Sequence, residues 1–359
     1  MGQRIVITGA SGNVGTALLR RLALRSEPPE IVAVARRVPP ATDPYGDVTW
    51  HSIDLAAPDA ETRLRPVVDG ADAVVHLAWG FQPSHRRDYL RRTGVDGTAA
   101  VIDAVLAAGV GHLVHMSSAA VYAAGAYGCA VDESWPATGI ESCAYSVDKV
   151  AAERLLDRRI AEAAVAPIVT RFRPGFIGQY AGGSALRRYA VPGYVPDLVL
   201  RHLPLLPVDS GTAIPAVHAD DVAAALDVAL ERRVPGVFNL AAPEPLRAAD
   251  IAGAFGARAV PVPRQVLRAV VEATWQVHLQ PIAGGWIDLA YNTPMLNCDR
   301  ARRDLDWDTT VPGPRVWREA IAGMQAEAGT DSPVLRSRGP LETMSALLGR
   351  GTVGRRVPP

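Results

Sequence analysis

The chain has 359 residues, 48% of them hydrophobic and 21% charged, with 37 basic and 37 acidic side chains and a formal net charge of zero. That composition describes a globular chain with a substantial core, in one large or two closely joined domains, and the charge balance argues against a general nucleic-acid binder. The three cysteines, Cys129, Cys143 and Cys298, are odd in number and widely spaced, which fits a reducing compartment and neither a disulfide framework nor a zinc site.

Met1-Gly2-Gln3-Arg4 leads straight into an apolar strand, so no signal peptide is expected and the expected location is cytoplasmic. The run Thr8-Gly9-Ala10-Ser11-Gly12-Asn13-Val14-Gly15 follows, and an apolar helix opens at Ala17-Leu18-Leu19. Strand, glycine turn and helix together mark a dinucleotide site. Gly9 permits the tight turn, Gly12 lets backbone approach a pyrophosphate, and Gly15 lets the helix pack close to the strand. The helix N-terminus offers N–H groups and a positive dipole end to the phosphates. The expected cofactor contacts are Gly9, Ser11, Gly12, Asn13, Val14 and Gly15.

Further strands are predicted at 31–35, 48–53, 73–77, 113–117 and 167–171, with helical patterns between them, notably 97–108 and 145–164. This alternation predicts an α/β fold built on a doubly wound parallel Rossmann sheet. Ligands bind such sheets at the carboxyl ends of the strands. An acidic residue about twenty positions past the last glycine normally holds the adenosine ribose and selects NAD. Here that position is Ala35, followed by Arg36 and Arg37. A guanidinium there pairs with a 2′-phosphate, so the expected cofactor is NADP, with NAD as the alternative if both arginines are solvated turn residues.

Residues 1–175 and 213–240 are assigned to the dinucleotide-binding domain, and 176–212 and 241–328 to a smaller substrate domain. The apolar stretch 190–208 is broken by Pro192, Pro196, Pro204 and Pro207. It suits an irregular pocket wall better than a membrane span. The segment 329–359, rich in Gly, Pro, Ser and Arg, is expected to be mostly mobile, with a short helix possible at 341–348.

The chemistry lies in Ser118 and Tyr145-Ser146-Val147-Asp148-Lys149. Tyr-x-x-x-Lys puts both side chains on one helix face, one turn apart. A cation beside the tyrosine favours phenolate and lowers its pKa from about 10. Such a tyrosine exchanges a proton with an alcohol or carbonyl oxygen, and Ser118 at a strand end can hydrogen-bond the same oxygen. His76, His112 and His115 read as strand residues. His218, followed by Asp220 and Asp221, reads as a helix start rather than a metal site. Trp79 fits either a pocket wall or the core.

With these motifs the chain resembles the extended short-chain dehydrogenase/reductases, the NAD(P)-dependent epimerase/dehydratase group. The match includes the glycine turn, Asp54-Leu55, His76-Leu77-Ala78, Gly97-Thr98, Ser117-Ser118-Ala119-Ala120-Val121-Tyr122, Tyr145 with Lys149, Arg173-Pro174-Gly175, Val217-His218-Ala219-Asp220-Asp221-Val222 and Asn239-Leu240, running to about Trp317. The resemblance implies a catalytic set of Ser118, Tyr145 and Lys149. It also implies Asp54, with Leu55 beside it, at the adenine, Leu77 and Ala78 lining the cofactor, and Pro174 beside the nicotinamide.

Two positions depart from that pattern. Gly94 stands where the family has an asparagine, and it has no side chain to hold a relay water. Ile214 stands where similar nucleotide-sugar epimerases carry an arginine that grips the sugar-nucleotide pyrophosphate. An apolar group supplies no charge-assisted bond to a diphosphate. The expected activity is hydride transfer between nicotinamide and a carbonyl or secondary alcohol of a small-molecule substrate. The alternatives are a nucleotide-sugar epimerase or dehydratase with internal cofactor recycling, and a non-catalytic NAD(P)-sensing protein. A homodimer is one option for its assembly.

Overall fold

Strands that read as unbroken apolar runs must bury both faces, and Ile5, Val6 and Ile7 are all fully buried. The computed structural model describes residues 2–80, 85–125, 127–339 and 342. Strands Arg4–Thr8 (β1), Glu30–Ala35 (β2), Thr49–Ser52 (β3), Ala73–His76 (β4) and His112–Met116 (β5) join Ile168–Pro174 and Gly236–Leu240 in one seven-stranded sheet. The spatial order is Gly236–Leu240, Ile168–Pro174, β5, β4, β1, β2, β3, and every pairing is parallel. This is the predicted doubly wound α/β sheet. The order reverses beside β1, so the switch-point crevice opens at the carboxyl ends of β1 and β4, where ligands bind in such sheets.

Helices cover both faces. Asn13–Ala23 and Ala219–Arg232 bring Ala17, Leu18 and Leu22 against Ala223, Leu226 and Leu230 on one side. Ala60–Val68, Gly97–Ala107 and Ala144–Glu162 contribute Leu64, Val101, Val105 and Leu156 to the core on the other. The remaining strands form small parallel pairs. Phe176–Gly178 pairs with Ala216–His218, Leu205–Val208 with Arg258–Pro261, and Ala130–Val131 with Met295–Leu296.

Part of the segment expected to be mobile is packed instead. Ser332 and Leu335 are fully buried. The Ser332 hydroxyl donates to the Ser11 carbonyl at 2.6 Å, and Tyr45 and Thr330 share a 2.7 Å hydroxyl bond. Polar composition suggested a free tail, but these side chains find specific partners. The helix expected at 341–348 lies, apart from Glu342, outside the described residues.

A buried ionic cluster ties the sheet to the longest helix. Glu153, on Ala144–Glu162, accepts from Arg171 Nη1 at 2.8 Å and from Arg173 Nε and Nη2 at 3.0 and 2.6 Å. It also accepts from the Ser117 hydroxyl. Arg173 and Arg171 outweigh the desolvation of Glu153 and hold its carboxyl below the ordinary range. A folded-state pKa below the unfolded value of about 4.3 stabilises at pH above that value, and the contribution is lost as pH falls through the folded pKa. Glu153→Gln leaves Arg173 buried without a counter-charge and Arg171 with Asp157 alone. It is expected to cost about 3–5 kcal/mol at neutral pH and to flatten the acid limb of a stability–pH curve. Urea melts from pH 3 to 8 check this, and an unchanged acid limb would show that the carboxylate does not govern it.

Candidate active site

The glycine turn is shaped as a close-approach cradle. Gly9 has φ +75°, and a Cβ there would lie 2.7 Å from the Ala78 nitrogen. A Cβ at Gly15 would lie 2.4 Å from the Ala10 oxygen, and one at Gly12 3.1 Å from the Gly9 oxygen. Helix Asn13–Ala23 starts from Gly12 with no side-chain cap and no acidic residue in its first turn. Its leading N–H groups therefore suit an anion. Val14 packs against the core, and Asn13 is fixed from a distant segment: Gln179 donates to its side-chain and backbone oxygens, and its own amide donates to the Ile177 oxygen at 3.2 Å. These residues fit a dinucleotide pyrophosphate.

Arg36 follows β2, half-buried, and its guanidinium donates to the Tyr89 hydroxyl. Asp54 is half-buried and accepts from the Ala56 nitrogen at 3.0 Å, leaving oxygen lone pairs for a ligand. Leu55 is turned inward, 5% exposed, under helix Gly97–Ala107. Leu77 and Ala78 lie at the end of β4, half-buried, with Ala78 against Gly9. Pro174 is buried at the end of its strand, paired with Leu240.

His76 acts as a strut. Its Nδ1 meets the Thr8 hydroxyl at 2.7 Å and its Nε2 the Thr98 hydroxyl at 2.9 Å. Burial first, and then Lys149, push its pKa down to about 3, so it stays neutral with both ring nitrogens engaged. His218 Nδ1 caps its helix by accepting from the Asp220 nitrogen at 3.2 Å. Among the described residues no group of three or more His, Cys, Asp or Glu is placed to hold a metal ion.

Ser118 caps the short turn Ala119–Val121 and hydrogen-bonds the Tyr145 side chain. Burial pushes the Tyr145 pKa up to about 12, with the Ser118 hydrogen bond acting in the opposite direction. The expected acidification by Lys149 is absent. Lys149 points elsewhere: its ammonium donates to the Met116 carbonyl at 2.9 Å and lies 3.7 Å from the centre of the Trp79 ring. Burial drives its pKa down to about 7, opposed by Glu153. One turn of helix puts Tyr145 and Lys149 on the same face, but the Trp79 indole covers the cation, and its ring stands edge-on to Tyr145 at 6.2 Å.

Sequence reasoning offered Trp79 as a pocket wall or core residue but did not find its aromatic partners Trp275 and Trp286. Trp286 stacks on Tyr145 at 5.2 Å. It is brought there because Gly285 lets its helix approach within 2.1 Å, Cβ position to oxygen, of the Ser142 carbonyl. Trp79, Tyr145, Trp275 and Trp286 line a pocket with Arg87 and Asp148, the latter paired with Arg91 at 2.9 Å. Gly94 makes room for this wall. It lies in a π-helical turn, Arg92–Asp96, and a Cβ on it would fall 2.9 Å from the Trp79 ring. The departure from the family's asparagine was visible in the sequence, but nothing there said that an indole fills the space. Gly94→Ala is expected to push the indole aside, costing about 1–3 kcal/mol and shifting tryptophan fluorescence. If Tm and emission both stay as in the parent, Trp79 is not wedged against Gly94.

Residues 5–241 match the sequence model of the NAD dependent epimerase/dehydratase family. The chain belongs to that family. An uncharacterised protein of Mycobacterium tuberculosis is 28% identical over 275 residues, covering 74% of this chain and 25% of that protein. The chain thus spans about a quarter of that relative's length. The 2'-dehydrokanamycin reductase of Streptomyces kanamyceticus is 30% identical over 253 residues, covering 68% of this chain and 63% of that enzyme. Among solved structures, the UDP-glucose 4-epimerase of Thermotoga maritima shares the fold with a TM-score of 0.66 at 15% identity, covering 90% of this chain and 99% of that one. An enzyme of Bordetella bronchiseptica in complex with NAD and UDP also has a TM-score of 0.66, at 19% identity, covering 92% of this chain and 97% of that one. No helix among the described residues is long and apolar enough to cross a membrane.

Proposed function

We propose that this family member catalyses net hydride transfer between NADP(H) and the carbonyl or secondary alcohol carbon of a small, largely apolar metabolite. The observation that carries the reading is the Tyr145–Ser118 pair, set in an aromatic-walled pocket beside the glycine turn. When bound, the nicotinamide supplies or accepts the hydride. Ser118 and Tyr145 hold the substrate oxygen. A tyrosine with its pKa raised to about 12 keeps its proton at neutral pH, so it serves as the acid that protonates the nascent alkoxide in the reductive direction. Lys149 belongs to the same set as the group that binds the nicotinamide ribose once Trp79 yields. Ser11, Gly12, Asn13, Val14 and Gly15 take the pyrophosphate. Asp54, Leu77, Ala78 and Pro174 complete the cofactor groove, with Leu55 beneath it. Arg36, in place of an acidic residue after β2, favours NADP over NAD.

Tyr145→Phe is expected to keep cofactor binding and lose about two to four orders of magnitude in rate, read from nicotinamide absorbance in single turnovers. A folded variant turning over near the parent rate removes Tyr145 from the mechanism.

The second reading, a nucleotide-sugar epimerase or dehydratase with internal cofactor recycling, draws on the solved neighbours, which hold UDP-glucose and UDP. Against it stands Ile214, whose side chain packs with Phe176 and Trp317 against Leu246 and Val316. Its backbone bridges to Leu246 in both directions at 3.1 and 2.9 Å. That position cannot supply a cation to a diphosphate. UDP-glucose is therefore expected to bind the cofactor-loaded protein no tighter than about millimolar, some −4 kcal/mol. Micromolar binding by calorimetry, with no net change in nicotinamide absorbance on turnover, would favour the second reading.

A further inference from the structure

The pocket beside Tyr145 carries a polar atom that the described residues leave unserved. Trp275 is half-buried on the pocket wall, and its indole Nε1 is shielded from solvent with no hydrogen-bond acceptor among the described residues. Buried donors in native proteins are almost always paired, so an exception on a pocket wall marks a place where a ligand or water supplies the acceptor. Other polar side chains of the pocket are engaged. Ser142 donates to Asp288 at 2.7 Å, and Asp148 pairs with Arg91 at 2.9 Å.

Trp275 is held firmly. It lies in the last turn of helix Arg264–Gln276, which is followed by left-handed His278, φ +60°, and the Leu279 nitrogen bonds back to the Thr274 oxygen at 2.9 Å. A closure of this kind fixes a helix end. His85 stacks on the indole at 4.1 Å, with the two planes 5° apart. The same helix is pinned to Gly284–Asn292, which carries Trp286: Arg268 pairs with Asp288 at 2.8 Å, and the Gly284 nitrogen donates to Glu272 at 2.9 Å. The Ser142–Asp288 bond ties both helices to the loop before Tyr145. The indole donor is therefore fixed relative to the Tyr145–Ser118 pair.

We infer that the Trp275 indole N–H determines specificity, and that the substrate is a flat ring ketone, or the matching alcohol, bearing a second oxygen acceptor remote from the reacting carbon. This rests on the hydride-transfer reading given above and narrows its substrate class. Tyr145 and Ser118 take the reacting oxygen. The Trp79 and Trp286 rings flank Tyr145 and offer apolar aromatic surface to a flat ring system. The remote oxygen accepts from Trp275. A hydrocarbon of the same size fits the walls but leaves the N–H buried without a partner, which is the costlier state.

Binding is measured on the full chain without cofactor, so that no ketone is consumed. The probes are 2-tetralone carrying a methyl ester on its far ring, at each position in turn, and 2-tetralone carrying an isopropyl group there. The parent is expected to bind the best-placed ester about tenfold or more tighter than its isopropyl counterpart. Trp275→Phe keeps an aromatic ring and deletes the N–H. It is expected to lose the preference while binding the isopropyl ketone within about twofold of the parent. In the parent's nitrogen–proton correlation spectrum, one of seven indole signals is expected to move downfield with the ester and hold still with the isopropyl ketone. Trp275→Phe identifies that signal by its loss, and Trp275→Leu does so if the first variant does not fold. Equal binding of ester and isopropyl ketone at every position, or a preference that survives Trp275→Phe, overturns the inference; the hydride-transfer reading then stands if either ketone is reduced by NADPH or NADH. A Trp275-dependent preference with no nicotinamide oxidised keeps the indole contact and overturns the hydride-transfer reading.

Discussion

The carboxylate of Glu153 fixes the relation between the sheet and the helix that carries Tyr145 and Lys149. It sits one helical turn after Lys149 and is held by Arg171 and Arg173 from the neighbouring strand and by Ser117 from the end of β5. Each partner is nearly inaccessible to water. A buried ionic group of this kind adds modestly to net stability, because desolvation consumes most of the attraction. Removing one member is far costlier than the whole is beneficial. What the cluster supplies is register. The helix cannot slide or rotate against the sheet without stranding a charge, so Ser118, next in sequence to Ser117, faces Tyr145 in one arrangement.

Two electrostatic consequences follow from how that helix is covered. Tyr145 and Lys149 are both driven toward their neutral forms by burial, the tyrosine keeping its proton and the lysine losing hold of its own near neutrality. A cation over an indole recovers part of its lost hydration. Trp79 is therefore both a wall of the pocket and a partner for the charge behind it. On the pocket side the tyrosine ring is flanked by Trp286, which leaves Tyr145 half-buried beside Ser118.

The central sheet was legible because its strands obey two simple rules: unbroken apolar runs such as Ile5-Val6-Ile7, and glycine-marked turns after them. The observed ends differ by a few residues, as at 167–171, which becomes Ile168–Pro174. The Ser117 nitrogen still bonds the Phe172 oxygen at 2.8 Å just beyond β5, so pairing fades rather than stops. The glycine turn, with Gly9 at φ +75°, and the helix that carries Tyr145 and Lys149 were equally readable, since both follow from local spacing. The burial of Leu55 was not, because a leucine just past a strand can face solvent or core, and only the approach of Gly97 decides it. The direction of Lys149, the indole over it and the arrival of Trp286 depend on contacts between distant segments. No local pattern encodes them. The docking of Ser332 was hidden for the same reason, beneath a composition that reads as solvent-loving.

The Ser332–Ser11 bond joins residues 321 positions apart, and this separation bears on the order in which the molecule acquires its shape. Contacts so distant in sequence are made after the nearer ones have paid most of the entropy of closure. Once the sheet and its covering helices stand, seating a segment of a few residues is a small local event, and so is its release. The segment around Ser332 can therefore lift and reseat on its own timescale while the seven strands remain intact, and its motion need not await any loosening of the core.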